Sequence, residues 1–260
     1  MQKEIIERTI EIGVTKASHS FSRLIALSIL AGVFISLGGV LSLIVGFGIP
    51  EIASSNPGLQ KLLSGLTFPV GLFLVVLFGA ELFTGNNAVL IPGCASGIIT
   101  KKSMLRNWTV VWIGNFIGGV LFTYFLVYSC GLVSVAPYNE AIIGIAQTKT
   151  GLSPWVIFLR GIGANWCVCL AVWLALYGKT IGQKALACWI PVAVFVMLGY
   201  EHCIANMFFI PCGILAGADV TLTEMGKNLL FSTIGNIVGG SLLVGAVFHK
   251  LYAPRRTTKD

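Results

Sequence analysis

Four uninterrupted apolar runs constrain this chain more than any other feature. They cover Leu24–Phe47, Leu105–Val133, Trp155–Tyr177 and Leu229–Phe248. Because about 20 apolar residues cross the hydrocarbon core of a bilayer as a helix, each run predicts one transmembrane span. Only 10% of the residues are charged, against about 25% in an average soluble domain. A soluble protein with an unusually apolar core is the alternative that this composition disfavours.

Two further apolar segments, Leu66–Ile99 and Ala185–Leu215, are long enough to cross a membrane but are interrupted. Their centres contain charged, amide and helix-breaking residues: Glu81, Gly85, Asn86, Asn87 and Pro92 in the first, and Glu201, His202, Asn206 and Pro211 in the second. Irregular backbone at membrane depth is tolerated only within protein or beside a water-filled cavity. We therefore predict six spans, two of them broken helices that face inward.

Basic residues concentrate on one side of a six-span chain. That side would hold Lys3, Arg8, Lys16, Arg23, Lys101, Lys102, Arg106, Lys179, Lys184, Lys250, Arg255, Arg256 and Lys259. The other side would hold only Lys61, Lys149 and Lys227. The positive-inside rule then predicts a multi-pass membrane protein with both termini in the cytoplasm.

Three segments follow from this topology. Residues 1–22 alternate isoleucines with charges and predict a short amphipathic helix at the cytoplasmic surface. Residues 23–250 form the six-helix transmembrane pore domain, and residues 251–260 a basic cytoplasmic tail. The basic residues fit topology signals, so their net charge of +7 does not indicate nucleic-acid binding.

The two halves of the chain carry matching motifs. Gly79–Asn86 and Gly199–Asn206 both read Gly-x-Glu-x4-Asn, and a glycine follows each asparagine seven residues later. The next spans also match, as 114–119 and 235–240 both read Gly-Asn-x-x-Gly-Gly. Three spans per half reverse the direction of the second half. The pattern therefore predicts an all-α fold with a 3+3 inverted repeat, whose site lies near the midplane where the broken helices meet.

An ionisable residue at membrane depth is a functional candidate by default, and His202 is the strongest. Its imidazole can donate or accept a hydrogen bond and exchange a proton near neutral pH. The alternative is a buried histidine bonded to a carbonyl freed by the break. Glu81 and Glu201 would repel an anion, so we expect them, with Asn86 and Asn206, to bond the backbone at the breaks.

Neutral hydrogen-bonding groups suit a pore that must not trap an ion, and Thr84 and Asn165 qualify. Lys149 precedes the fourth span on the outer side. Its ammonium either concentrates anions at the mouth or is an ordinary solvated lysine. We assign no role to Arg160.

These motifs resemble those of the formate–nitrite transporter family, which includes hydrosulfide channels. The resemblance covers nearly the whole chain and rests on residues 79–85, 164–173, 199–207 and 235–240. It implies an aquaporin-like protomer, a homopentamer with one pore per protomer, and His202 as the central histidine beside Thr84. It also implies Asn165 as the pore asparagine and Lys149 as the outer lysine. The implied apolar constrictions are Phe68 and Phe195 towards the outside with Leu72 between, and Leu82, Phe83 and Val168 towards the inside.

The resemblance and the motifs together predict a channel or transporter for small monovalent anions of weak acids, moving with protons. Formate ranks first, with hydrosulfide and nitrite as alternatives. A neutral-solute pore of aquaporin type is disfavoured, because Asn86 and Asn206 do not begin Asn-Pro-Ala motifs. An enzyme is disfavoured too, because the seven cysteines and three histidines show no metal-ligand or cofactor spacing.

Overall fold

The computed structural model describes residues 2–253, which form helices joined by turns and short loops, with no β-strand among them. The predicted basic residues Arg255, Arg256 and Lys259 lie outside the described part. The helices are α1 Gln2–Ser18, α2 Phe21–Phe47, α3 Pro50–Ser55, α4 Pro57–Thr67, α5 Val70–Phe78, α6 Phe83–Ala95, α7 Lys101–Phe122, α8 Tyr138–Gly151, α9 Pro154–Tyr177, α10 Ile181–Met197, α11 Cys203–Leu215, α12 Leu222–Ile237 and α13 Val247–Tyr252. Two π-helical segments, Thr123–Tyr128 and Val238–Ala246, continue α7 and α12.

Six membrane crossings are confirmed. Five stretches are long and apolar enough to span a bilayer: Phe21–Phe47, Pro57–Phe78, Lys101–Tyr128, Pro154–Tyr177 and Leu222–Tyr252. The shorter apolar helices α10 and α11 together form the remaining crossing. The second crossing continues beyond its break as α6, so both predicted broken helices are present.

The chain begins and ends its described part on one side of the bundle. Arg8 of α1 donates from Nη1 to the carbonyl oxygen of Leu176, near the end of α9, at 2.9 Å. Helix α13 also contacts α1 here, and we call this side the terminal face. On the opposite side, the distal face, Lys227 Nζ of α12 donates to the carbonyl oxygen of Thr150 in α8 at 2.7 Å.

The repeat extends beyond the three predicted spans per half. Helix α8, which we did not predict, packs on α11 as α1 packs on α6. A Cβ on Gly13 of α1 would lie 2.9 Å from the carbonyl oxygen of Val89, and one on Gly213 would overlap Ala146 of α8. The buried face of α1 (Ile5, Ile6, Thr9 and Gly13) thus packs against the bundle. Each half is therefore three spans and one shorter helix.

Glycines allow the spans to approach closely at matching places. A Cβ on Gly118 of α7 would overlap the carbonyl oxygen of Ile29 in α2. A Cβ on Gly239, in the second half, would overlap the carbonyl oxygen of Ile162 in α9. Small residues at such crossings let backbones pack without a side chain between them. The glycine motifs therefore join helices within the protomer.

We expect Gly118→Ala to destabilise the protein by about 1–3 kcal/mol, the usual cost of forcing a methyl group into a packed core. Gly144 of α8 is the matched control, because a Cβ there meets nothing within 4 Å. Gly144→Ala should be neutral or stabilise by up to about 1 kcal/mol, since alanine is favoured in a helix. Thermal unfolding in detergent measures both. Equal stabilities for the two variants would show that α2 and α7 can move apart to accommodate the methyl group at little cost in stability.

Candidate functional site

The two helix breaks meet inside the bundle and present two helix N-termini. Gly79 and Gly199 end the preceding helices with φ of 64° and 68°, left-handed values that favour glycine. The following helices begin after Leu82 and His202, which occupy equivalent N-cap positions. Leu82 makes no side-chain cap, whereas His202 does. The two halves therefore differ chemically at the centre of the repeat.

His202 is buried and held at both ring nitrogens. Its Nδ1 accepts the backbone N–H of Ala205 at 3.1 Å, so Nδ1 carries no proton in this arrangement. The proton of the neutral ring then lies on Nε2, which is 3.0 Å from Thr84 Oγ1. Nε2–H donates to Thr84, whose own hydroxyl proton can be donated to a further acceptor. The structure thus brings His202 and Thr84 together as a directed pair of hydrogen-bond donors.

Asn165 holds the backbone around Thr84. Its Nδ2 lies 3.2 Å from the Thr84 carbonyl oxygen, 3.2 Å from Asn87 Oδ1 and 2.6 Å from the Asn236 carbonyl oxygen. The thiol of Cys169 also donates to the Thr84 carbonyl oxygen, at 3.2 Å. All of these groups are buried. In this structure the Asn165 amide nitrogen ties α9 to α6 and to the sixth crossing.

Glu201 lies within a polar cluster on the distal side. The cluster contains Lys149, whose Nζ donates to Glu201 Oε1 at 3.0 Å. Glu201 Oε2 accepts from Asn206 at 2.7 Å and from Asn228 at 3.1 Å. Asn228 also donates to the Lys149 carbonyl oxygen at 2.9 Å. The Glu201 side chain is only 2% exposed, so Lys149 compensates a buried carboxylate.

The same cluster recurs on the terminal side around Glu81. Lys16 Nζ donates to Glu81 Oε1 at 2.8 Å, and Asn86 Nδ2 donates to Glu81 Oε2 at 2.6 Å. Asn107 accepts from Asn86 and donates to the Lys16 carbonyl oxygen. Lys16 is therefore the counterpart of Lys149, which sequence reasoning missed. The paired motifs located Glu81 and Asn86, but no motif marked their lysine partner.

One feature separates the two clusters. His19 Nε2 lies 3.7 Å from Glu81 Oε1, and Glu201 has no such neighbour among the described residues. Burial lowers the pKa of His19, and attraction by Glu81 opposes that shift. The positive charges of Arg23 and Lys16 lower its pKa further. The lowered pKa of His19 favours its neutral form, so Lys16 is the main positive partner of Glu81.

The backbone of each break is bonded by asparagines rather than by the glutamates we expected to bond it. Asn115 Oδ1 accepts the Phe83 N–H at 3.0 Å, and its Nδ2 donates to the Glu81 carbonyl oxygen at 2.9 Å. Asn236 repeats this with Cys203 and Glu201, both at 2.9 Å. The asparagines of the repeated Gly-Asn-x-x-Gly-Gly motifs therefore hold the breaks open.

A cavity leads towards the breaks from each face. The distal cavity, about 170 Å³, reaches His202 and is lined around it by Phe68, Phe195, Phe209 and Lys149. The terminal cavity, about 240 Å³, is lined by Arg8, Lys16, Leu72, Val75, Leu82, Val172 and Lys184 among others. The two cavities share no lining residue. The two cavities are therefore separate in this conformation.

Aromatic rings close the distal cavity. Phe68 meets Phe195 edge-on at 5.8 Å between centroids and stacks on Phe209 at 6.5 Å. Phe195 in turn stacks on the His202 ring at 5.7 Å. Phe209 was missed in the sequence, since nothing distinguishes it from the neighbouring apolar residues of its helix.

The remaining constriction candidates divide into two groups. Leu72 and Leu82 line the terminal cavity. Leu72 is therefore not grouped with Phe68 and Phe195, as the resemblance implied, since those two line the distal cavity. Phe83 and Val168 line neither cavity, and the Phe83 ring packs edge-on against Trp108 at 6.4 Å.

Arg160 lies at the second break. It donates from Nη1 to the Gly199 carbonyl oxygen at 3.4 Å, and its own carbonyl oxygen accepts the Glu201 N–H at 3.3 Å. Within residues 2–253 no group of three histidine, cysteine or acidic side chains could hold a metal ion.

Comparisons with known proteins agree on one family. The model of the formate/nitrite transporter family matches residues 3–250. An uncharacterized transporter of Bacillus subtilis, YrhG, is 39% identical over 96% of this chain and 92% of its own length. A probable formate transporter of Methanothermobacter thermautotrophicus is 37% identical over 93% of each chain. The formate channel FocA of Escherichia coli is 35% identical over 93% of this chain and 90% of its own.

Two solved structures share the fold. An ion channel of the same family superposes with a TM-score of 0.87 at 30% identity, over 95% of this chain and 98% of that one. A pentameric formate channel with formate bound gives a TM-score of 0.80 at 33% identity, over 89% and 97%.

Proposed function

The chain belongs to the formate/nitrite transporter family, and from this premise we propose that it carries small monovalent weak-acid anions across a membrane, with formate as its main substrate. It is a multi-pass membrane protein and not an enzyme. The observation that carries the proposal is the His202–Thr84 pair at 3.0 Å, between two cavities that open towards opposite faces. Its relatives named as formate channels and transporters support the choice of formate.

The apolar constrictions require the substrate to cross without its charge. A bare carboxylate loses its hydration among Phe68, Phe195 and Leu72, and burying an unpaired charge is very costly. Formate can instead take a proton from water in one cavity, cross as formic acid and release that proton on the other side. One proton then moves with each anion. Chloride is the anion of a strong acid, so its neutral form is negligibly populated in water.

His202 and Thr84 act on the substrate by donating hydrogen bonds. Since Nδ1 of His202 accepts the Ala205 N–H, a second proton on the ring would have to displace that bond. We therefore assign proton supply to water in the cavities, and assign to the pair the stabilisation of the substrate oxygen between the constrictions. The neutral pair offers donors without a fixed charge that would trap the anion.

Orientation and assembly complete the proposal. The terminal face carries the larger share of lysine and arginine, so we place it and both termini in the cytoplasm. The related channel with formate bound is pentameric, and we propose a homopentamer with one pathway in each protomer. No cofactor is needed for this transport, and the partners are protons, the lipid bilayer and further copies of the chain.

Flux into proteoliposomes tests the proposal. Formate entry should exceed that into empty liposomes severalfold, should acidify the interior and should rise as external pH falls. Chloride entry should stay at the level of empty liposomes. Hydrosulfide and nitrite, tested in parallel, decide the substrate: if either moves faster than formate, the family function stands and the main substrate changes. Equal and large fluxes of chloride and formate would contradict transport as the neutral acid.

A further inference from the structure

Two ammonium groups line the distal cavity, and they differ in their partners. Lys149 is paired with Glu201 at 3.0 Å, and its Nζ lies 5.7 Å from the centroid of the Phe209 ring. Its positive charge is therefore matched by an adjacent negative charge inside the protein. Seen from an approaching anion, the Lys149–Glu201 pair acts more as a dipole than as a charge. The second ammonium belongs to Lys61.

Lys61 stands on the pore-lining face of α4. It lines the cavity together with Ser64 of the same helix and Phe68, the residue directly after it. These are three and seven residues further on and so share its face. Seven residues of helix correspond to about 10 Å, which places Lys61 at the mouth and Phe68 at the closed end. Lys61 is solvent-exposed and forms no ion pair with any carboxylate of the described chain.

The terminal cavity shows the same division of roles. Its Lys16 is paired with Glu81 at 2.8 Å. Lys184 of α10 lines that cavity and, within the described residues, is in no ion pair. Helices α4 and α10 open the two broken crossings from opposite faces. In each mouth, one lysine is thus ion-paired with a buried glutamate, and another lysine has no ion pair within the described residues.

We propose that Lys61, and not Lys149, is the residue that attracts the anionic substrate into the distal mouth; this rests on the proposed function. The interaction is with charge alone, so it favours any small monovalent anion and leaves selection to the constrictions. A single-sign charge in a cavity with low-dielectric walls raises the local concentration of the opposite ion. For an anion about 9 Å from the ammonium in water, one such charge changes the anion occupancy about two-fold when the salt concentration is low.

The test exchanges the charge at one position while keeping its size similar. Lys61→Cys is made in a Cys130→Ser background, because Cys130 is the exposed cysteine of the described chain. Intact cells expressing it react with membrane-impermeant methanethiosulfonates that add either a trimethylammonium or a sulfonate group. Formate uptake is measured in isosmotic sorbitol with 10 mM or 150 mM salt. Ser54→Cys, exposed on α3 and outside the cavity lining, is the matched control.

We expect the half-saturating formate concentration at 10 mM salt to be about four-fold higher with the sulfonate than with the trimethylammonium adduct. At 150 mM salt, where screening acts over about 8 Å, the difference should fall below about two-fold. The control should show no difference at either salt concentration. Equal half-saturation for the two Lys61→Cys adducts, with labelling verified by mass, would overturn the proposal.

Two other failures can be told apart from that one. If cells that express the protein without label take up no more formate than cells that lack the protein, the proposed function is wrong. The effect of the charge at residue 61 is then not at issue. If neither cysteine is labelled in intact cells, the distal face is cytoplasmic. The same comparison is then made in inside-out vesicles, where it again supports or overturns the role of Lys61.

Discussion

Lys149→Met should destabilise the protein by about 3–5 kcal/mol, because it leaves the buried carboxylate of Glu201 without its positive partner. Glu201 is 2% exposed and bonded to Lys149 at 3.0 Å. The double variant Lys149→Met/Glu201→Gln should recover most of the loss, since the glutamine removes the charge and can still hydrogen-bond Asn206 and Asn228. Thermal or denaturant unfolding in detergent measures both variants. If Lys149 were an ordinary solvated lysine, the single variant would instead keep native stability.

The matched experiment is Lys16→Met in the other half of the repeat. Glu81 has His19 at 3.7 Å as a second basic neighbour, so we expect a smaller loss than for Lys149→Met. Removing Lys16 also removes one cause of the lowered His19 pKa. A higher His19 pKa makes protonation beside Glu81 easier than in the native protein. The stability that the variant loses relative to the native protein should therefore be smaller at acid pH and grow as pH rises through the His19 pKa. Equal, pH-independent losses for both variants would show that His19 takes no part.

His202→Asn should separate the two tasks of the histidine. The asparagine oxygen can still accept the Ala205 N–H as an N-cap, so stability should stay within about 1 kcal/mol of native. The shorter side chain cannot reach Thr84, and formate flux should fall about ten-fold, the scale of one lost hydrogen bond. His202→Leu, which copies Leu82, should lose the flux and also about 0.5–2 kcal/mol of stability.

Flux and unfolding together decide between the roles of His202. Native formate flux with native pH dependence in His202→Asn would show that the ring serves only to cap α11. A large loss of stability in His202→Asn would show that the cap depends on the imidazole itself. The expected result is a stable protein with impaired transport, which neither of those outcomes produces.

The crossings and the breaks could be predicted because short stretches of sequence specify both. Apolar length predicts each span, and Glu81, Asn86, Glu201 and Asn206 mark the interruptions. The repeat was also visible, since its motifs recur at nearly constant spacing. Helix α8 was not visible, because its short mixed sequence between two spans resembles an ordinary connection.

Partners far apart in sequence could not be predicted in the same way. Lys16 meets Glu81 across 65 residues and Lys149 meets Glu201 across 52, and no local pattern specifies either contact. The direction of a side chain could not be predicted from the sequence either. Phe83 is adjacent to Thr84, yet its ring packs against Trp108. Such outcomes depend on how the helices pack, which only the structure gives.

The recurrence of one polar cluster at both ends of the pathway has a consequence for how the protein is made. Each cluster joins a lysine, a glutamate and two asparagines, and neither contains a group that requires one particular side of the bilayer. An inverted molecule would satisfy the same internal bonds. The fold therefore does not determine its own orientation, which must be settled during insertion by the unevenly distributed basic residues near the ends of the crossings. Neutralising Lys101, Lys102 and Arg106 would then alter the ratio of upright to inverted molecules while leaving each molecule correctly folded.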